Sequence, residues 1–105
     1  ACLELAERVG VPVVVSSALE TSVGLAAGIA LAAALPELPY ACGLATARLL
    51  DADVVAEPLL PVAGAIPVRR PEPDPGLLAA AAEEAERSGV AARWAERLAA
   101  IKEAA

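Results

Sequence analysis

The sequence contains no histidine, phenylalanine or methionine, and its one lysine, Lys102, stands near its end. A serine nucleophile needs a base and an orienting acid, and with no histidine and a distant lysine that chemistry is excluded. Basic residues are few: eight Lys and Arg against fourteen Asp and Glu, for a net charge of −6. Nucleic-acid binding needs clustered cations to replace counterions, and the one basic doublet is Arg69-Arg70, so that class is set aside too. Aromatic residues make up 2% of the chain, so a core must be built from Ala, Leu and Val. The two cysteines, Cys2 and Cys42, are far apart with no metal-like spacing, and are expected to be two buried thiols of a reducing cytoplasm. No basic stretch followed by an apolar one opens the chain, so no secretory signal is read there. The longest apolar run, residues 23–35, is too short to span a bilayer and fits a buried helix.

What is there is 58% hydrophobic over 105 residues, enough for one small globular domain or part of a larger one. Residues 1–9 read as the end of a helix whose start carries no capping signal, with Gly10 as its C′ residue; this predicts a segment of a longer protein. Residues 11–15 are apolar without alternation, the pattern of a strand buried on both faces in a parallel sheet. A polar loop follows, then a helix over 22–35 capped by Thr21 or Ser22, with Gly24 and Gly28 allowing close packing against a neighbour. Pro36 and Pro39 end it, a short buried strand is expected at 40–42, and a short helix at 47–50. This βα repetition predicts an α/β fold with a parallel sheet. Short peripheral segments follow to residue 68, then a proline-rich linker over 69–76. Helices at 77–87 and 90–104 close the chain, the second with an apolar stripe of Trp94, Leu98 and Ile101. Glu84, Glu86, Glu96 and Glu103 read as solvated helix charges.

The chemistry-bearing residues gather where the first strand becomes a loop, the place where α/β proteins bind ligands. Ser16 and Ser17, with the backbone amides of residues 20–23 at a helix N-terminus, suit a carboxylate or phosphate; equally, they suit a polar turn and a cap. Gly43 either allows close backbone approach to a ligand or makes the turn, and Thr46 lies in the same loop. Glu20 is a candidate acceptor for fixing the loop, whereas Asp51 and Asp53 are expected to flank a turn rather than hold a metal.

The run Val-Val-Val-Ser-Ser-Ala-Leu-Glu-Thr-Ser-Val-Gly-Leu-Ala-Ala-Gly at 13–28, Ala-Leu-Pro-Glu-Leu-Pro at 34–39, Ala-Cys-Gly-Leu at 41–44 and Pro-Val-Ala-Gly-Ala-Ile-Pro-Val-Arg-Arg-Pro at 61–71 resemble the C-terminal part of actinobacterial o-succinylbenzoate synthases, of the enolase superfamily. The resemblance covers roughly residues 1–75, and the terminal helices more loosely. It implies the end of a (β/α) barrel, with its last two strands and their helices in residues 1–57. Residues 58–105 would be an extension returning to a capping domain. It also implies a magnesium-assisted dehydration of a succinyl cyclohexadiene carboxylate in menaquinone biosynthesis, in the cytoplasm, with the metal stabilising an enediolate and lysines moving the proton. Ser16, Ser17, Gly43 and Thr46 are then substrate-binding residues, with Ser16 and Gly43 at the succinyl carboxylate. Close relatives carry glycine where Ala45 and Ala47 stand here. No catalytic residue and no Mg2+ ligand of the family matches a position in this chain; the strand-six lysine would fall shortly before Ala1. A racemase of N-succinylamino acids on the same scaffold would use the same binding residues, and a small anion-binding module is the alternative outside enzymes.

Overall fold

The computed structural model describes residues 2–104, of which Cys2 begins the first helix. The elements run α1 (Cys2–Val9), α2 (Ser22–Ala34), a 3-10 helix (Thr46–Leu49), α3 (Pro75–Arg87) and α4 (Val90–Ala104). Gly10 ends α1 with a φ of 68°, the left-handed conformation that glycine adopts without a Cβ penalty. Residue 1, which the sequence places in that helix, lies outside the described residues. The short helix expected at 47–50 is a single 3-10 turn one residue earlier. Helix α3 begins two residues before its expected start. Asp74 caps it by accepting from the Leu77 amide at 2.9 Å, and Pro75 takes the first turn, where its missing N–H costs nothing.

The two expected strands are the main correction. Among the described residues neither 11–15 nor 40–42 forms a strand; the segments meet at one parallel bridge, Ser16 with Gly43. That bridge consists of Gly43 N–H to the Val15 carbonyl at 2.9 Å and Ser17 N–H to the Gly43 carbonyl at 3.0 Å. A longer ladder is opposed by Pro12 and Pro39, which carry no N–H to donate. The burial expected on both faces is met only at Val15; Val11, Val14 and Tyr40 are exposed. One side of this pairing has a layer against it, and the other has none among the described residues.

The covering layer is α2. Ser22, Leu25, Ile29 and Ala32 recur at helical spacing and are its buried stripe. Leu25, Ile29 and Ala32 pack with Val15, Leu44, Ala47 and Leu59 into one cluster, flanked by Ala26, Leu35, Cys42 and Ile66. At Gly28 the helix lies close against Leu44: a Cβ there would stand 3.1 Å from Leu44 Cδ2. Although α2 carries no charged residue, it is not buried all round; Val23 and Leu31 face outward. Cys42 is half-buried and Cys2 exposed, so the expected pair of buried thiols holds for neither in full; both are free.

Residues 62–65 close a two-residue hairpin, with Val62 and Ala65 exchanging backbone bonds of 2.8 and 3.0 Å. Ala63 at φ 49° and Gly64 at φ 81° give the doubly left-handed turn that matches strand twist. The proline-rich stretch after it is tethered, since Arg69 donates to the Glu57 carbonyl at 2.6 Å and the Asp74 amide to the Val54 carbonyl at 2.8 Å. Helix α3 packs on α4, yet neither buries a residue. The apolar stripe of α4 is exposed, with the Arg97 guanidinium 5.2 Å from the Trp94 ring. Glu84, Glu86, Glu96 and Glu103 are solvent-facing as expected, and Glu84 pairs with Arg87. The radius of gyration is 16.9 Å, against about 13 Å for a compact domain of this length. No described helix is long and apolar enough to cross a membrane.

Candidate functional site

The bridge between Ser16 and Gly43 brings together all four residues singled out in the sequence. Ser17 Oγ lies 2.9 Å from Thr46 Oγ1 and 3.2 Å from the Gly43 carbonyl, so these hydroxyls hold each other and the loop after residue 43. A simple proton arrangement has Thr46 donating to Ser17 and Ser17 donating to Gly43. Ser16 is different. Its hydroxyl is exposed and has no hydrogen-bond partner among the described residues, which leaves it free to donate to a ligand.

Gly43 departs from both sequence expectations. Its φ is not in the left-handed region, so no turn requires glycine here. Its N–H is already given to the Val15 carbonyl, so it is not free for a carboxylate. What the position does require is space: a Cβ would stand 2.8 Å from Ser16 Oγ and 3.4 Å from Ser16 Cβ. Gly43 thus clears room for the one hydroxyl among these four residues that is uncommitted.

The amide cluster expected to receive an anion at the start of α2 is partly filled by the chain itself. Thr21 is the N-cap residue, but its side chain makes no capping bond. The Asp53 carboxylate does so instead from 31 positions away, accepting from Ser22 N–H at 3.2 and 3.1 Å and from Ser22 Oγ at 2.6 Å. It also accepts from the Val54 amide at 2.7 Å. A carboxylate at a helix N-terminus meets unpaired amides and the positive end of the helix dipole. Ser22 is fully buried, and its hydroxyl accepts in turn from Leu59 N–H at 2.8 Å. The expectation that Asp53 merely flanks a turn is therefore corrected. Glu20, the residue offered for fixing the loop, makes no hydrogen bond among the described residues and lies along α2 near Gly24. Local sequence could not reveal Asp53, because a cap is sought next to its helix.

No group of three or more His, Cys, Asp or Glu that could hold a metal comes together among the described residues. The Asp53 oxygens are committed to Ser22 and Val54. The residues present therefore do not fit a magnesium site.

Comparison with known proteins gives one consistent result. Residues 1–85 match the family model described as enolase C-terminal domain-like. The chain is 64% identical over 104 residues to the o-succinylbenzoate synthase of Thermobifida fusca, covering 99% of this chain and 31% of that protein. It is 58% identical over 80 residues to the o-succinylbenzoate synthase of Mycobacterium tuberculosis, 76% of this chain and 24% of the relative. With the protein of that name from Mycobacterium leprae it shares 59% over 78 residues, 74% of this chain and 23% of the relative. The chain thus spans about a third or less of the length of these curated relatives.

Proposed function

The chain belongs to the enolase C-terminal domain-like family, and we propose that it is the substrate-carboxylate side of an o-succinylbenzoate synthase. In this reading the complete enzyme is a magnesium-dependent lyase of menaquinone biosynthesis, working in the cytoplasm. It dehydrates a succinyl cyclohexadiene carboxylate. Residues 1–57 are the end of its barrel and residues 58–105 an extension towards a capping domain, and the rest of the enzyme is their partner. The names of the relatives favour dehydration over racemisation on the same scaffold. Because this chain offers no ligand set for magnesium among its described residues, no catalytic step is assigned to it.

Its contribution is binding. Ser16 Oγ is the uncommitted donor, and it donates to the succinyl carboxylate. Gly43 keeps space open beside that hydroxyl, while Ser17 and Thr46, bonded to each other, hold the loop that follows Gly43. The observation that carries the reading is this contrast: three of the four residues are already bonded to one another or to the backbone, and the Ser16 hydroxyl is free. The carboxylate is remote from the reacting carbon. Interactions there bind ground state and transition state alike, and they act on KM more than on kcat.

Ser16→Ala in the complete enzyme tests this. Losing a hydrogen bond to a charged group costs about 1.5–3 kcal/mol, or about ten- to hundredfold in KM, with kcat little changed. A KM equal to that of the unaltered enzyme would remove Ser16 from the site.

A further inference from the structure

Residues 17–21 connect the Ser16 bridge to the first residue of α2, and this loop is fixed at both ends by one other stretch of chain. At its start, Gly43 and Thr46 hold Ser17. At its end, Asp53 holds Ser22 through both the amide and the hydroxyl. The second attachment is deeply set: Ser22 is fully buried, and its hydroxyl is saturated between the Asp53 carboxylate and the Leu59 amide. The Val54 carbonyl, next along the chain, takes the Asp74 amide, which extends the linkage to the start of α3.

We infer that Asp53 is a positioning residue, which sets the placement of the Ser16 hydroxyl by anchoring the far end of the 17–21 loop through Ser22. It touches no substrate. The inference rests on Ser16 being the carboxylate donor, as proposed above, and adds the residue that determines where that donor stands. A cap on α2 alone would need only an acceptor for one amide. Here the carboxylate takes four hydrogen-bond contacts, three of them from Ser22, the residue where the loop becomes helix.

Asp53→Asn is the direct variant. The side chain keeps its shape and one acceptor oxygen, but an NH2 replaces the second oxygen, and with it one of the acceptors that the Ser22 amide and hydroxyl share. In the complete enzyme KM for the succinyl cyclohexadiene carboxylate is expected to rise about tenfold with kcat within about twofold, since small misplacements of a binding group are costly. In the Ser16→Ala background the same change should raise KM no further, because no hydroxyl is left to misplace. Ser22→Ala, which removes the hydroxyl donor to Asp53 and the acceptor of the Leu59 amide but no charge, replaces Asp53→Asn if that variant does not fold, and is read in the same way. A lowered Tm with unchanged KM overturns the inference, and so does a KM effect that simply multiplies with that of Ser16→Ala. Either result leaves the Ser16 reading standing. A silent Ser16→Ala instead overturns the carboxylate site itself, and this inference with it.

Discussion

Gly43→Val is expected to lower kcat/KM of the complete enzyme by about a hundredfold, the scale of an ångström-size misplacement in a binding site. The fold should barely register the change. Gly43 is exposed, its backbone is not left-handed, and nothing there demands glycine for conformational reasons. Exposed substitutions of this kind stay within about 0.5 kcal/mol. The conflict lies with Ser16, whose Oγ would be 2.8 Å from the new Cβ. A serine hydroxyl at the end of a single rotor yields by turning to another rotamer, so the strain is relieved at the expense of the site. Gly43→Ala should show the same effect in smaller measure. In a Ser16→Ala background it should add little, since the Ser16 Cβ at 3.4 Å is a tolerable neighbour. Melting temperature and steady-state kinetics of these variants and the unaltered enzyme decide the matter. A large drop in Tm with normal catalysis in the folded fraction would mean that Gly43 serves the fold and not the ligand.

The second large effect concerns the 105-residue chain by itself, which is expected to lack a cooperative thermal transition and to bind hydrophobic dyes or aggregate. Nine apolar side chains, Pro71 included, are buried among the described residues, while Val11, Val14, Leu31 and Leu49 are among those left outside. The single parallel bridge gives each chain segment one partner at most, and unpaired backbone beside apolar side chains invites association. Helix α2 has no charged face to offer to water. Calorimetry and dye binding at micromolar concentration test this together; a sharp monomeric melt without dye binding would show that the small cluster around Leu25 and Leu59 suffices.

The helices were legible in the sequence because their signals are local. Helical spacing and the Ser88-Gly89 break act within a turn or two of the residues they govern; the Asp74-Pro75 start is as local, but it lies in the proline-rich run that reads as a linker. The strands were less so. Residues 11–15 have the composition of a doubly covered strand, but pairing depends on what lies alongside, and here it is limited to Ser16 and Gly43. The structure brings Ser16, Ser17, Gly43 and Thr46 together at one bridge, a grouping that rests on the family resemblance, since the residue types alone suit an anion site and a polar turn equally. The division of labour inside it was not legible. Which hydroxyl is spent on another and which is free depends on distances across some 26 to 29 positions. Asp53 escaped for the same reason, its partner being 31 positions back along the chain.

The cation stacked on Trp94 has a practical consequence. Trp94 is the chain's one tryptophan, and it sits on α4 with its ring half in water and Arg97 above it. Its emission is therefore a gauge of whether another surface covers α4. A shift to shorter wavelength marks the indole leaving water, and a change in intensity marks the guanidinium moving away. None of the hydroxyls around Ser16 lies on that helix, so in this chain a ligand could bind there without altering the signal, and a silent fluorescence titration would carry no information about the carboxylate site.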